Sequence, residues 1–403
     1  MRKSFTILTG ILVCALTVVG GTSRTETSAS QPGTPTPSTA MSVVELTQRI
    51  SEARQLLQKD ATISRDSVRL AALDSTSGEL TTIPLSKDEF LTKNADIDAT
   101  TGDGNRVRVR IVRANGVNTA VTINAATTDE WLLPLVVQFP IVRNGEITEV
   151  AYYTSVHPAL LSSGLTSKGQ SYIRAMLDQA AANLAAQGVT IPSDIVDIAE
   201  HLCVVEHTDH KRFMTEDAGD LFPEILSLYA LNQGNTFRYS VSTAGAGGMI
   251  QMIPKTYEAI RQSHPTAALN SDFVTGMRDH SNALKAMLLY MNDTWNGLAN
   301  SSEVQDAMNR GIATKPELLA AGYNSNPRRL PRYLKDGGSG WRSLIPAETQ
   351  MYLAIYGSVD KNLELTSASA TAGQSTLALS VEAPKPFPIL SWLRTSLVSA
   401  MFR

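Results

Sequence analysis

Cysteine is almost missing from this chain: Cys14 and Cys203 are the only two in 403 residues. Two thiols, one of them inside an N-terminal apolar segment, build neither a disulfide framework nor a cysteine-based zinc site. An excess of one charge is also lacking, since 35 basic and 38 acidic residues leave a net charge of −3. A protein that coats nucleic acid needs a strong basic excess, so nucleic acid is not expected as a partner. Beyond the N-terminal segment, no apolar run is long enough to span a bilayer. Core-forming residues are not scarce. Apolar residues make up 43% and charged residues 18%, which excludes wholesale disorder and permits a sizeable buried core. The length suits two or three domains.

At the N-terminus, Arg2 and Lys3 precede an apolar run over residues 5–19, followed by Gly20, Gly21 and Thr22. A basic start, a short apolar stretch and small residues predict an export signal or simple anchor over residues 1–21. Val13, just before Cys14, is large for lipoprotein processing, so lipidation of Cys14 is the lesser reading. Residues 22–40 are rich in Ser, Thr and Pro and read as a flexible spacer. The expected location is the periplasm or cell envelope. Residues 363–403 read as a flexible linker and an amphipathic tail. In that tail Ile389, Leu390, Leu393, Leu397, Val398 and Met401 share one side, with Arg394 and Arg403 and no acid. It can dock on its own protein, touch a membrane surface or stay unstructured.

Between these ends the hydrophobic period changes. Val44, Leu46, Ile50, Leu56 and Leu57 predict a helix over residues 43–58. From 67 to 156 the period is two. Arg106, Arg108 and Arg110 alternate with Val107, Val109 and Ile111, and Asn115-Gly116 supplies a turn into a strand over 117–123. A second hairpin runs through 131–142, Asn144-Gly145 and 147–153, with Pro134 and Pro140 at an edge or at bulges. The arginine row reads as a solvated sheet face. Residues 41–156 are therefore expected to form a small antiparallel β-containing domain of α+β type. Residues 157–362 are mainly helical. Ile173, Met176, Leu177, Ala180 and Leu184 form one stripe closed by Gly188, and Ser193 with Asp194 is expected to cap the next helix. Leu284, Met287, Leu288, Met291 and Trp295 form another core face.

One polar residue interrupts an apolar stripe. Ile195, Ile198, Ala199 and Leu202 share a face, and Glu206 is its next member. A carboxylate there is either a helix-end charge or is partly desolvated. Desolvation raises a carboxyl pKa, which suits a general acid that must protonate a leaving oxygen. Further on lies Ser242-Thr-Ala-Gly-Ala-Gly-Gly-Met-Ile-Gln251. Its glycines permit a tight backbone path beside a ligand, and it lacks the lysine and spacing of a phosphate-binding loop.

Here the chain resembles the lysozyme-like lytic transglycosylases, relatives of goose-type lysozyme. In that family a helix ends in Glu-Ser and is followed by Ser-x-x-Gly-Ala-x-Gly-Leu-Met-Gln-x-x-Pro-x-Thr. The match falls on Ser242, Gly245, Ala246, Gly248, Gln251, Pro254 and Thr256. The family's Ala-Tyr-Asn-Ala-Gly-Pro corresponds to Gly322-Tyr323-Asn324-Ser325-Asn326-Pro327. Asn326 stands for a glycine there, as the next best residue for a left-handed backbone. Pro-x-x-Glu-Thr-x-x-Tyr corresponds to Pro346, Glu348, Thr349 and Tyr352. The resemblance spans about residues 195–358, less than half of the chain. It departs at His207, where the family has Ser. It also departs in the 35 residues between Glu206 and Ser242, whose stripe Leu221, Phe222, Ile225, Leu226 and Tyr229 predicts an extra helix over the groove.

The resemblance implies a mainly helical lysozyme-like domain that binds peptidoglycan glycan strands and cuts between N-acetylmuramic acid and N-acetylglucosamine. Glu206 would be the catalytic acid and then the base, giving a 1,6-anhydro end with no cofactor or metal. Ser242, Gln251, Tyr323 and Asn324 would bind substrate. Glu224 in the insertion is the main rival for the acid. Hydrolysis would need a second carboxylate, for which the insertion offers Asp209. Two readings from other classes stay open. One is a metal site at His201, His207, His210 and Asp209. The other is a non-catalytic wall-binding scaffold that works through its β-rich domain and basic tail.

Overall fold

The computed structural model describes residues 41–59, 63–126 and 130–363. The expected export signal, spacer and C-terminal tail lie outside the described residues. The described residues form one unit of α+β type.

Helix α1 (Val43–Lys59) leads in. Its core face is Leu46, Ile50, Ala53 and Leu57. Val44, expected on that face, is 79% exposed, because a period of 3.6 carries it away from the line through Leu46 and Ile50. Strands β1 (Ser67–Asp74) and β2 (Leu80–Ser86), the short helix α2 (Lys87–Phe90) and strands β3 (Asp96–Thr100), β4 (Arg106–Arg113), β5 (Ala120–Ala125), β6 (Trp131–Arg143) and β7 (Glu146–Tyr153) follow. The strands form one antiparallel sheet in the order β2-β1-β6-β5-β4-β3, with β7 paired to the far end of β6.

Strict alternation on β4 buries Val107, Val109 and Ile111 and leaves Arg106, Arg108 and Arg110 exposed. Arg108 and Arg110 lie beside Asp98 and Asp96 of β3. Asn144 and Gly145 both take positive φ, 51° and 83°, as a two-residue hairpin turn requires. Pro134 sits where the β1 ladder shifts register, and Pro140 lies beyond the end of that ladder. The strand expected over 117–123 begins later, at Ala120. Gly116–Asn118 coils into a 3₁₀ turn in which Thr119 Oγ1 accepts the Asn115 N–H, so local hydrogen bonding displaces the first strand residues.

The helical part comprises α3 (Ser163–Ala186), α4 (Ser193–Val205), α5 (His210–Thr215), α6 (Ala218–Asn232), α7 (Pro254–Ser263), α8 (Phe273–Arg278), α9 (His280–Ala299), α10 (Ser302–Asn309), α11 (Lys315–Asn324), α12 (Leu330–Gly337) and α13 (Ala347–Asn362). The stripes expected on α3 and α9 are buried, apart from the partly buried Trp295. Ser193 and Asp194 do not cap α4. Pro192 occupies the cap position, and Asp194 pairs with Lys315 at 2.6 Å. Among the described residues, no helix is long and apolar enough to cross a membrane.

The helix expected to roof the groove does something else. α6 is apolar on nearly every side, and such a helix belongs inside a core. Leu221, Phe222, Ile225, Leu226 and Tyr229 join the helical core, Leu228 joins the sheet core, and Ala230 joins the cluster around α1. A Cβ on Gly169 of α3 would lie 1.9 Å from the Leu226 carbonyl, so glycine is what lets these two backbones meet. Asn232 completes the junction by accepting the Thr154 N–H and donating to the Thr154 carbonyl, each at 2.8 Å.

Candidate active site

Helix α4 carries Glu206 to the wall of a cavity. Its orientation is set from α3, where the buried Arg174 donates to Asp197 (2.6 Å) and Glu200 (3.4 Å) of α4. Ile195, Ile198, Ala199 and Leu202 are buried, so the stripe continues to Glu206, which is partly buried at the helix C-cap. The Tyr352 hydroxyl donates to Glu206 Oε1 at 2.6 Å. Burial pushes the Glu206 pKa up to about 8; the Tyr352 hydrogen bond works the other way, and the nearby Glu348 carboxylate adds to the rise. The negative end of the α4 dipole also disfavours a carboxylate at this position.

The cavity has a volume of about 590 Å³, and Glu206, Ser242, Gln251, Tyr323 and Asn324 all line it. The Gly-rich segment folds back on itself to present its side chains. Ser242 Oγ accepts the Ala246 N–H (3.0 Å), which leaves its hydroxyl proton for a ligand. Gln251 sits in the left-handed region (φ 45°), and its amide donates to Ser240 Oγ (3.2 Å) and to the Gly248 carbonyl (2.8 Å). Gly248 takes φ 69°, and a Cβ there would come within 2.2 Å of the Met277 carbonyl. Tyr323 donates its hydroxyl proton to the Ile250 carbonyl (2.8 Å), so its ring is what it offers the cavity. Asn324 Oδ1 accepts from Thr349 Oγ1 (2.8 Å), which turns its amide nitrogen to other partners.

Several expectations need correction. Asn326 is not left-handed. Its φ is −78°, and its side chain accepts the Arg328 N–H to cap a 3₁₀ turn. Glu224 is not a free acid. It is held by Arg212 (2.6 Å) and Arg113 (3.0 Å); burial acts to raise its pKa, and these two cations bring it below the usual range. Glu224 does not line the cavity, and neither does Asp209, whose carboxylate caps α5 by accepting the Arg212 N–H. None of residues 211–241 lines the cavity.

The three histidines near Glu206 have separate surroundings. His201 is buried against the edge of Tyr356, and His210 is an exposed lining residue. His207 replaces the expected Ser and has a structural task. Its ring stacks on Phe237 at 3.4 Å, and Nε2 donates to the Met249 carbonyl at 3.0 Å. It thereby ties the end of α4 to the Gly-rich segment. Burial drives its pKa down to about 3, so it is neutral in this role. Among the described residues, no group of three or more His, Cys, Asp or Glu could hold a metal ion.

Tyr352, Glu348, Tyr290 and Thr208 also line the cavity, beyond the site residues expected from the sequence. Tyr352 was visible as part of its motif, but its bond to Glu206 depends on α13 packing against α4 across 146 residues. No protein-family model, curated protein or solved structure matches this chain.

Proposed function

We propose that the chain is a lytic transglycosylase acting on peptidoglycan glycan strands, in the cell envelope outside the cytoplasm. The observation that carries the reading is a carboxyl group that keeps its proton near neutral pH at the wall of a sugar-sized cavity. A protonated carboxyl can give its proton to the glycosidic oxygen as the bond to the anomeric carbon breaks. The resulting Glu206 carboxylate then takes the proton of the muramic acid C6 hydroxyl. That oxygen closes on the anomeric carbon to give a 1,6-anhydro ring. The carboxyl ends as it began, and no water is consumed. Tyr352 steadies the carboxylate between the two proton transfers. Ser242, Gln251 and Asn324 supply hydroxyl and amide groups suited to sugar hydroxyls and acetamido groups, and the Tyr323 ring suits a sugar face.

A second reading, hydrolysis, draws on Glu348. It is an exposed carboxylate in the same cavity and could activate water on the far side of the sugar. Digestion of purified sacculi followed by mass spectrometry separates the two. Transglycosylation gives fragments lighter by one water than hydrolysis does, and Glu206→Gln abolishes their release. Reducing ends would replace the first reading with the second. Release that survives Glu206→Gln would remove both.

A further inference from the structure

We infer that Glu149 of β7 is a positioning residue for the substrate-binding segment 237–251, so that the sheet serves as a brace for the cavity wall. The inference rests on the glycan-cleaving reading above for its kinetic consequence, but not for its geometry.

Glu149 does not line the cavity. Its Oε1 accepts the Tyr239 hydroxyl (2.7 Å) and Arg238 Nη2 (3.3 Å), and its Oε2 accepts Arg278 Nη1 (3.1 Å). One carboxylate of the sheet thus gathers three residues from two helical-region segments. Those segments also hold each other. Arg238 Nη1 donates to the Arg278 carbonyl (3.1 Å), and the Arg278 guanidinium lies over the Tyr239 ring, 5.1 Å from its centre.

From there the path to the cavity is short. The Ser240 carbonyl, one residue beyond Tyr239, accepts the Gly248 N–H at 3.0 Å. The Ser240 hydroxyl oxygen accepts from Gln251. Gly248 packs on the Met277 carbonyl, one residue before Arg278. Moving Arg238 or Arg278 therefore moves both walls of the loop that presents Ser242 and Gln251. Charge makes Glu149 hard to replace. Arg143 and Arg238 both act as like charges on Arg278, and without Glu149 the half-buried guanidiniums would face each other uncompensated.

A second ionic junction supplies the control. Arg113 of β4 meets Glu224 of α6, which also binds Arg212. This junction joins sheet to helices, and its hydrogen bonds and ion pairs do not involve residues 237–251. A merely structural role for Glu149 would make the two junctions equivalent.

The test compares Glu149→Ala, Glu149→Gln, Tyr239→Phe and Glu224→Gln in the full chain. Amide hydrogen exchange is followed at Gly245, Gly247 and Gly248, whose N–H groups bond to the Ser242, Met252 and Ser240 carbonyls. Glu149→Ala is expected to speed their exchange about tenfold and to raise KM for glycan fragments about tenfold with kcat within about twofold. Glu149→Gln, which keeps an acceptor for Tyr239, and Tyr239→Phe should show smaller effects of the same kind. Glu224→Gln should lower overall stability and leave loop exchange and KM as in the wild type. The inference is overturned if Glu149→Ala leaves loop exchange unchanged, or if Glu224→Gln loosens the loop equally. A loss of kcat at constant KM would overturn it as well. If the wild-type protein cleaves no glycan, the functional reading falls, and the exchange comparison still decides whether Glu149 braces the loop.

Discussion

Replacing Glu206 with Gln should change how stability depends on pH, independently of any substrate. The sign follows from proton counting. Below pH 4.5 the carboxyl is protonated in both folded and unfolded chains. Between 4.5 and about 8 the unfolded chain releases the proton and the folded one keeps it, so folding loses stability as pH rises. Above about 8 both are ionised and the loss is complete. Each pH unit of that interval is worth about 1.4 kcal/mol, which puts the full effect on the order of 5 kcal/mol as a ceiling. The true figure is smaller because one side of the carboxyl faces the cavity. Glutamine has nearly the same shape and no proton to lose. Urea unfolding of both proteins at pH 5 and pH 9 isolates the term, since every other titrating group is shared and cancels in the difference. Relative to Glu206→Gln, the wild type should lose several kcal/mol between the two pH values. A difference that stays constant within about 1 kcal/mol would mean that Glu206 is ionised throughout, and would take the general acid with it.

Two further predictions concern the same wall. Tyr352→Phe removes a hydrogen bond that favours the ionised form, so the alkaline limb of the pH–activity profile should move to higher pH. Glu348→Gln removes a like charge and should move that limb to lower pH; shifts in one common direction would contradict the arrangement. Gly248→Ala meets both a positive φ and the Met277 carbonyl, and should cost about 2–4 kcal/mol in urea unfolding. A cost below about 0.5 kcal/mol would show that the segment has room to spare.

Local patterns carried much of the fold. The alternation on β4, the Asn144-Gly145 turn and the stripes of α3 and α9 are all short-range signals, decided within a few residues of themselves. Glu206 was legible for a related reason: its stripe is apolar up to the residue where it becomes acidic. What failed were questions settled by distant partners or by competing local bonds. Val44 is apolar yet exposed, because the helical period turns it away from the face of Leu46 and Ile50. Pro192 took the cap position expected of Ser193, while Asp194 found Lys315 from another helix. The misplacement of α6 had a readable warning. Leu228, Tyr229 and Ala230 are consecutive, and three neighbouring apolar residues cannot share one face of a helix. Tyr352 and Glu149 act through contacts that no local period encodes.

Because α6 gives Leu228 to the strands, Ala230 to the leading helix and Leu221, Phe222 and Ile225 to the helical core, the described chain has no seam along which it could come apart in halves. Heat or urea should find one cooperative melting unit rather than a resilient half and a fragile one. A fragment trimmed to the helical residues alone would lay bare a greasy flank of the helix at its own centre. On the glycan-cleaving reading proposed above, a polymer would reach Glu206 through the standing cleft rather than through a hinge between sheet and helices.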